Sequence, residues 1–174
     1  MKLTVELIKE YIATCNDMLH QCFEDYGYDD EPSFVEIKIS RARSFWGQVT
    51  SLGGGLYVLK ISSIFEELPD EETFRKRLTS CVAHEIIHTL KGCMNHGKNF
   101  KARCDAFNKM FPGYDLQRCT SSAKYGIVRP VREYKWTLKC EDCGKEWNFR
   151  RLPKYRTNYK CPYCSKSNFS LNKV

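Results

Sequence analysis

The sequence lacks any long uninterrupted run of apolar residues, although 42% of its 174 residues are hydrophobic. Its amino-terminal stretch, MKLTVELIKEY, alternates charged with apolar residues, whereas a secretory signal or a membrane helix needs a continuous apolar segment. We therefore expect a cytoplasmic protein without membrane association. Internal repeats and low-complexity tracts are also lacking. The hydrophobic fraction of 42% is enough for a chain that folds around a packed core.

Histidine is scarce, with four residues, whereas cysteine is abundant, with ten. Four of the cysteines form two CxxC pairs. Without a secretory signal, we interpret the cysteines as thiols and metal ligands in a reducing compartment rather than as disulfides. The other six are scattered and are predicted to pack as small apolar side chains: Cys15, Cys22, Cys81, Cys93, Cys104 and Cys119.

The first part of the chain has no excess of positive charge. Residues 1–125 carry 16 Lys+Arg and 17 Asp+Glu, a net charge of −1. Residues 126–174 carry 12 and 4, a net charge of +8. The formal charge of +7 therefore belongs to the carboxyl-terminal part of the chain.

The spacing of apolar residues predicts an α+β fold. Steps of three and four residues predict helices at 4–23, after Pro69-Asp70, and over NFKARCDAFNKMF, and the shorter runs SFVEIKIS, SFWGQVTS and LYVLKIS predict strands. The glycines of LGGG supply the positive φ that a tight turn between the last two strands needs. We predict a compact domain at 1–120, a linker at 121–133 and a small second domain at 134–174.

The stretch HEIIHTLKGCMNHGKNF, residues 84–100, holds three of the four histidines. His84 and His88 are four residues apart, so on a helix they share one face and can bind one metal ion. Glu85 is displaced by one residue and would lie next to that ion without binding it. A carboxylate there can take a proton from a water molecule that zinc has activated, so the pattern indicates metal-assisted hydrolysis.

A catalytic zinc also needs a third protein ligand and one open position. His96 lies beyond Gly92, where the chain could turn back to supply that ligand. The alternative is a chance His-Glu-His sequence whose side chains are exposed or satisfied in the core. Cys81 shares the helical face of His84 and His88, so it is either a redox-sensitive thiol near the metal or a residue that packs beside the site.

The order of an N-terminal helix, strands, an HExxH helix and the continuation NHGKNFK resembles the SprT-like metallopeptidases, the family that includes the Spartan proteases. The resemblance covers the whole chain, since several members also end in a zinc ribbon, and it departs from the family pattern at Asn95, where glycine is common. It implies a zincin-like domain with helices packed on a small sheet and HExxH on the central helix. It also implies that the catalytic zinc is bound by His84, His88 and His96.

The same resemblance implies that Glu85 is the general base. It further implies a protein substrate attached to DNA, or bound near it, and a location in the cytoplasm or at the nucleoid. This step depends on the family more than on the residues of this chain.

The second constellation is the pair of CxxC sequences in CEDCGK and CPYCSK. Thiolates suit zinc, and a closed four-sulfur shell leaves no position for water, so these cysteines predict a structural zinc in a ribbon. A domain of this size has too small a core to fold securely without such a metal. The ligands would be Cys140, Cys143, Cys161 and Cys164, which brings the expected zinc content to two ions per chain.

Basic residues interleaved with aromatic ones lie between the two CxxC pairs, around the predicted zinc. Lys and Arg can neutralise phosphates and aromatic rings can stack on unpaired bases, so this pattern is typical of a surface that binds DNA, especially single-stranded DNA. The alternative is a solvated basic face that docks on the first domain. The candidate residues are Arg150, Arg151, Lys154, Arg156, Lys160, Trp147 and Tyr155.

Three functions are compatible with these patterns. The first is a zinc metallopeptidase that acts on protein substrates, including proteins on DNA. The second is a nucleic-acid-binding adaptor whose HExxH zinc is not catalytic, although a purely structural site would not need Glu85. The third is a hydrolase aimed at one regulatory protein, with the ribbon used for protein contact.

Overall fold

The computed structural model describes residues 1–27, 31–117, 122–127, 133–153 and 159–174. The described residues form a mixed α+β structure in two compact units, Met1–Val128 and Arg129–Val174. The predicted α+β class is therefore confirmed. Within these residues, no helix has both the length and the apolar character that crossing a membrane requires.

The first element is helix α1, Val5–Cys22, which packs on the core through one apolar face. Its N-cap is Thr4, whose side-chain oxygen accepts a hydrogen bond from the backbone N–H of Leu7 at 3.1 Å. Such a cap satisfies one of the N–H groups that have no partner in the first turn of a helix. The apolar side chains buried on the face of α1 are Ile8, Cys15, Met18 and Leu19.

The sheet of the first unit has three strands in the order β1-β3-β2. β1 (Ser33–Ser40) pairs parallel with β3 (Leu56–Ser62), and β2 (Gly47–Gly53) pairs antiparallel with β3. β2 was predicted to begin at residue 44 but begins at Gly47, because the chain first turns inward to bury Trp46 in the core. β1 and β2 are therefore the edge strands of this sheet.

Helix α2, Glu71–Thr89, is the most deeply buried element, with 12 of its 19 residues buried. Its N-cap is Asp70, whose carboxylate accepts a hydrogen bond from the backbone N–H of Thr73 at 2.7 Å. The helix lies against α1, β2 and the third helix, α3. The core of the unit therefore surrounds the segment that contains His84, Glu85 and His88.

Helix α3, Lys98–Met110, follows the loop that contains His96. Its predicted apolar face is present, since Phe100, Cys104 and Phe107 are buried. Residues 122–127, which we predicted to be linker, pack on this unit and include a short 3-10 helix at Ser122–Tyr125. Ile127 is buried, and the ring of Tyr125 lies 5.8 Å from that of Trp46. The remainder of the predicted linker is only partly within the described residues.

The second unit is built on an antiparallel sheet in the order β5-β4-β6. Two tight turns carry its cysteines. In the first, the N–H of Gly144 donates to the carbonyl of Cys140 at 2.8 Å, and in the second the N–H of Ser165 donates to that of Cys161 at 2.8 Å. The strands are β4 (Trp136–Cys140), β5 (Glu146–Phe149) and β6 (Phe169–Lys173).

Candidate metal centres

Three histidine rings of the first unit converge on one point. The Nε2 atom of His84 lies 3.1 Å from that of His96 and 3.2 Å from that of His88. The Nε2 atoms of His88 and His96 are 3.2 Å apart. The three nitrogens therefore form a nearly equilateral triangle, with two corners on α2 and the third on the loop before α3.

This triangle has the dimensions of a zinc site. A tetrahedral ion with Zn–N bonds of about 2.0–2.1 Å holds its nitrogen ligands roughly 3.3 Å apart, close to the three observed separations. Among the described residues, the metal-ligating group here consists of these three histidines. Three protein ligands leave one position of a tetrahedron open, as in catalytic zinc sites.

The surroundings of the rings prepare them as ligands. The Nδ1 atom of His88 lies 2.8 Å from the carbonyl oxygen of Cys93, so its N–H donates there and the Nε2 lone pair faces the other rings. Burial lowers the pKa of His84 to about 3, and the neighbouring imidazoles act in the same direction. Burial also lowers the pKa of His88. Both rings are therefore neutral near pH 7, which metal binding requires.

Phe100 on α3 supports all three rings from one side. Its ring is stacked on His88 at 4.3 Å, with an interplanar angle of 24°, and lies 4.8 Å from both His84 and His96. The side chain of Phe100 is only 1% exposed. A buried aromatic ring thus restricts the rotation of every histidine in the triangle.

Glu85 lies beside the triangle on α2 but is not part of it. Its side chain is 5% exposed and lies against the start of β2, since a Cβ atom added at Gly47 would be 2.7 Å from Oε1. Burial raises the pKa of Glu85 to about 8, and the backbone of Val49 opposes that rise. A bound cation nearby would also oppose it. With this pKa the carboxyl group is mostly protonated near pH 7, and a cation bound by the histidines would shift it towards the carboxylate form that can accept a proton.

Gly47 at the start of β2 makes room for Glu85. A Cβ atom at this position would lie 2.7 Å from Oε1 of Glu85 and 2.7 Å from Sγ of Cys81. Cys81 is therefore beside the carboxylate, outside the group of metal ligands, and burial raises the pKa of its thiol well above the ordinary value. A protonated, buried thiol matches the packing interpretation of Cys81.

A cavity of about 370 Å³ opens onto the histidines. One wall is the edge strand β2 with the residues that precede it, and another is α2. The residues that line the cavity include Trp46 and Arg77, which our sequence analysis did not select. No short motif could identify these two residues, because they are 31 positions apart in the sequence and come together only in the folded chain.

The four cysteines of the second unit also converge. The Sγ atoms of Cys140 and Cys164 are 3.6 Å apart, as are those of Cys143 and Cys161. All four sulfurs lie within 4.8 Å of one another. A tetrahedral zinc with Zn–S bonds of about 2.3 Å holds its sulfurs roughly 3.8 Å apart, so this group also fits a zinc ion.

The candidate nucleic-acid residues are only partly described. Arg150, Arg151 and Lys160 are exposed, whereas Lys154, Tyr155 and Arg156 lie outside the described residues. Trp147 is half-buried, and its ring lies 6.1 Å from Tyr163 and 6.2 Å from Phe169, so it belongs to an aromatic cluster of the second unit. The sequence did not single out Tyr163, which is 67% exposed and has the ammonium group of Lys145 over its ring at 5.2 Å.

We compared the sequence with protein-family models and with curated proteins, and neither comparison finds a match.

Proposed function

We propose that the protein is a zinc-dependent metallopeptidase with a zincin-like catalytic unit of the SprT type and a four-cysteine zinc ribbon. The observation that carries this proposal is the buried carboxyl group of Glu85 beside a triangle of three histidines that leaves one zinc position open. A structural metal site has no use for a proton acceptor at this place. The cavity next to both groups provides room for a substrate.

In the proposed reaction, His84, His88 and His96 hold the zinc ion. When bound, zinc polarises the scissile carbonyl and makes a water molecule more acidic. Glu85 takes a proton from the attacking water and later transfers it to the leaving amine. Packing against the start of β2 keeps the carboxyl group of Glu85 in place, and Phe100 keeps the imidazoles oriented.

The proposed substrate is an extended segment of a protein. Among the described residues, β2 is an edge strand that lines the cavity, and its outer side pairs with no other strand. An edge strand can bind an extended peptide through backbone hydrogen bonds. The sheet order and the cavity together favour β2.

We further propose that the substrate is a protein on DNA and that the ribbon binds the DNA. Exposed Arg150, Arg151 and Lys160 together with exposed Tyr163 support this part, because cations and accessible aromatic rings are what single-stranded DNA binds. The competing hypothesis is a nucleic-acid-binding adaptor with a non-catalytic zinc in the first unit. The burial of Glu85 against β2 favours the peptidase.

The test is the cleavage of a DNA-binding protein by wild type and by Glu85→Gln, with and without single-stranded DNA, after equal zinc contents have been measured. The peptidase predicts that wild type cleaves and that Glu85→Gln does not, since the amide cannot accept the proton. Stimulation by DNA that disappears in Arg150→Ala/Arg151→Ala supports the role of the ribbon. Equal activity of wild type and Glu85→Gln, or none in either with zinc bound, contradicts the proposed mechanism.

A further inference from the structure

Arg77 is a cation buried in the wall of the cavity, and the proposed reaction does not use it. Its side chain is on α2 and the residue is 9% exposed. Its Nε atom has no hydrogen-bond partner among the described residues. Arg77 also forms no salt bridge with any of the described residues. Buried charges are normally paired, so this guanidinium calls for an anion from elsewhere.

The guanidinium is held in place by an aromatic ring. Its central carbon lies 5.2 Å from the ring centroid of Trp46, a cation–π contact. Trp46 is in turn fixed by an edge contact with Phe65 at 4.9 Å. The nearby hydroxyl of Ser80 donates to backbone carbonyls, including that of Lys76 at 2.9 Å. The local hydrogen bonds therefore position the surroundings of Arg77 without neutralising it.

Acidic groups are almost absent from this wall. Among the described lining residues, Glu85 is the sole carboxylate, and it forms no salt bridge with Arg77. The cavity thus contains one fixed guanidinium and the histidine triangle that would hold a dication. This distribution of charge favours a negatively charged ligand.

The distance along α2 from the metal site to Arg77 equals the length of a short extended peptide. Arg77 precedes His84 by seven residues, which places it on the same face of α2 two turns earlier, about 10.5 Å along the axis. An extended peptide covers that length in about three residues. A group that reaches Arg77 therefore belongs to a residue within about three positions of the bond at the zinc.

We propose that Arg77 is a specificity-determining residue that binds a carboxylate of the substrate, close to the scissile bond. The planar guanidinium fork suits a carboxylate, which it can bind through two parallel hydrogen bonds. The carboxylate is the side chain of Asp or Glu, or the terminal carboxylate of the substrate chain. This inference rests on the proposed peptidase function. Its test distinguishes a failure of the role of Arg77 from a failure of the peptidase function.

The first part of the test maps cleavage in a mixed pool of synthetic peptides by mass spectrometry. Wild type should prefer Asp or Glu over Asn or Gln at one position within about three residues of the cut, by about 10- to 100-fold, the contribution of a charge-assisted hydrogen bond. Arg77→Gln should lose this preference while still cutting neutral peptides. If the terminal carboxylate is the ligand, amidation of the peptides should produce the loss instead.

Control variants separate recognition from folding. Arg75→Gln removes a cation from the same helix, but Arg75 is exposed and pairs with Glu71, so the preference should be unchanged. Arg77→Lys should keep part of the preference. Should Arg77→Gln not fold, as judged by zinc content and thermal melting, Arg77→Met keeps the length of the side chain and tests the same loss of charge.

The second part measures binding without cleavage. Fluorescein-labelled alanine-rich peptides with a single Glu, or a Gln at the same position, are titrated into zinc-loaded Glu85→Gln with and without Arg77→Gln. Tighter binding of the Glu peptide that depends on Arg77 supports the proposal, even if wild type cleaves nothing and the peptidase function fails. Cleavage without an acidic preference overturns the role of Arg77 and leaves the peptidase intact. The absence of both cleavage and selective binding overturns both.

Discussion

Gly47 offers a sharp test of the proposed catalytic geometry, because its missing side chain makes room for Glu85. A methyl group there would lie 2.7 Å from Oε1 and 2.8 Å from Cγ of Glu85. Carbon and oxygen atoms that are not bonded do not approach so closely. Gly47→Ala therefore forces either β2 or the side chain of Glu85 to move. The Glu85 side chain is the movable partner, since β2 is held by its pairing with β3.

We expect Gly47→Ala to lower both the stability of the protein and its catalytic rate. Overpacking of this size destabilises a core by about 1–3 kcal/mol. Displacing a catalytic group by about 1 Å lowers the rate on the order of 100-fold. Gly47→Ala should therefore keep its zinc and its fold but lose most of its kcat, while a substrate bound elsewhere in the cavity keeps a similar KM.

The assay is steady-state hydrolysis of a fluorogenic peptide that wild type cleaves, with zinc content and thermal melting measured in parallel. Gly113→Ala is the matched control, because nothing lies within 4 Å of the Cβ that it would add. Adding Cys81→Ala should restore part of the rate, since that change removes the sulfur 2.7 Å from the new methyl group. A folded, zinc-loaded Gly47→Ala with the kcat of wild type would refute the role assigned to the position of Glu85.

Three other predictions concern the metals and the response to pH. His96→Ala should lower the zinc content by about one ion per chain, because one corner of the histidine triangle is lost; full retention of metal, by elemental analysis, would remove His96 from the ligands. Cys140→Ser should unfold the ribbon and spare hydrolysis of a small peptide; NMR spectra and activity together check this, and loss of hydrolysis would contradict the independence of the two units. The hydrogen bond with Glu31 raises the pKa of His20 above 6.5, so the stabilisation is complete below pH 6.5 and is lost as the pH rises through the folded-state pKa. Urea denaturation should show this fall in wild type and not in His20→Gln, and equal pH profiles would contradict it.

The sequence predicted the elements that depend on local spacing. His84 and His88 share a helical face because they are one turn apart, and Asp70 marks the start of that helix through its capping side chain. The two CxxC pairs likewise predicted a group of four sulfurs, and the structure brings these sulfurs within 4.8 Å of one another. Such features were predictable because each depends on residues close together in the chain.

The features that the sequence did not predict depend on contacts between distant residues. Gly47 looked like an ordinary glycine of a strand, and its role became visible only when β2 was placed beside Glu85. Trp46 was assigned to a strand because an aromatic residue in an apolar run favours one, whereas burial against Phe65 places it before β2. Arg77 resembled the charged residues around it on α2, and no local pattern distinguishes a buried arginine from an exposed one.

The histidine triangle draws its ligands from two parts of the fold that differ in how easily they can move. His84 and His88 belong to α2, whose backbone is enclosed by the core, so freeing them requires opening of the whole unit. His96 lies in the loop between α2 and α3, where Met94 is 48% exposed. The same loop supplies the carbonyl of Cys93 that orients His88.

This asymmetry determines how fast a metal ion is exchanged. An outward movement of residues 90–97 removes one ligand and the hydrogen bond that orients a second, while α2 stays folded. We therefore expect capture and release of the ion to follow the opening rate of this short loop, with the unfolding rate of the protein as a lower limit. Metal exchange should accordingly be much faster than hydrogen exchange of the backbone amides around His84.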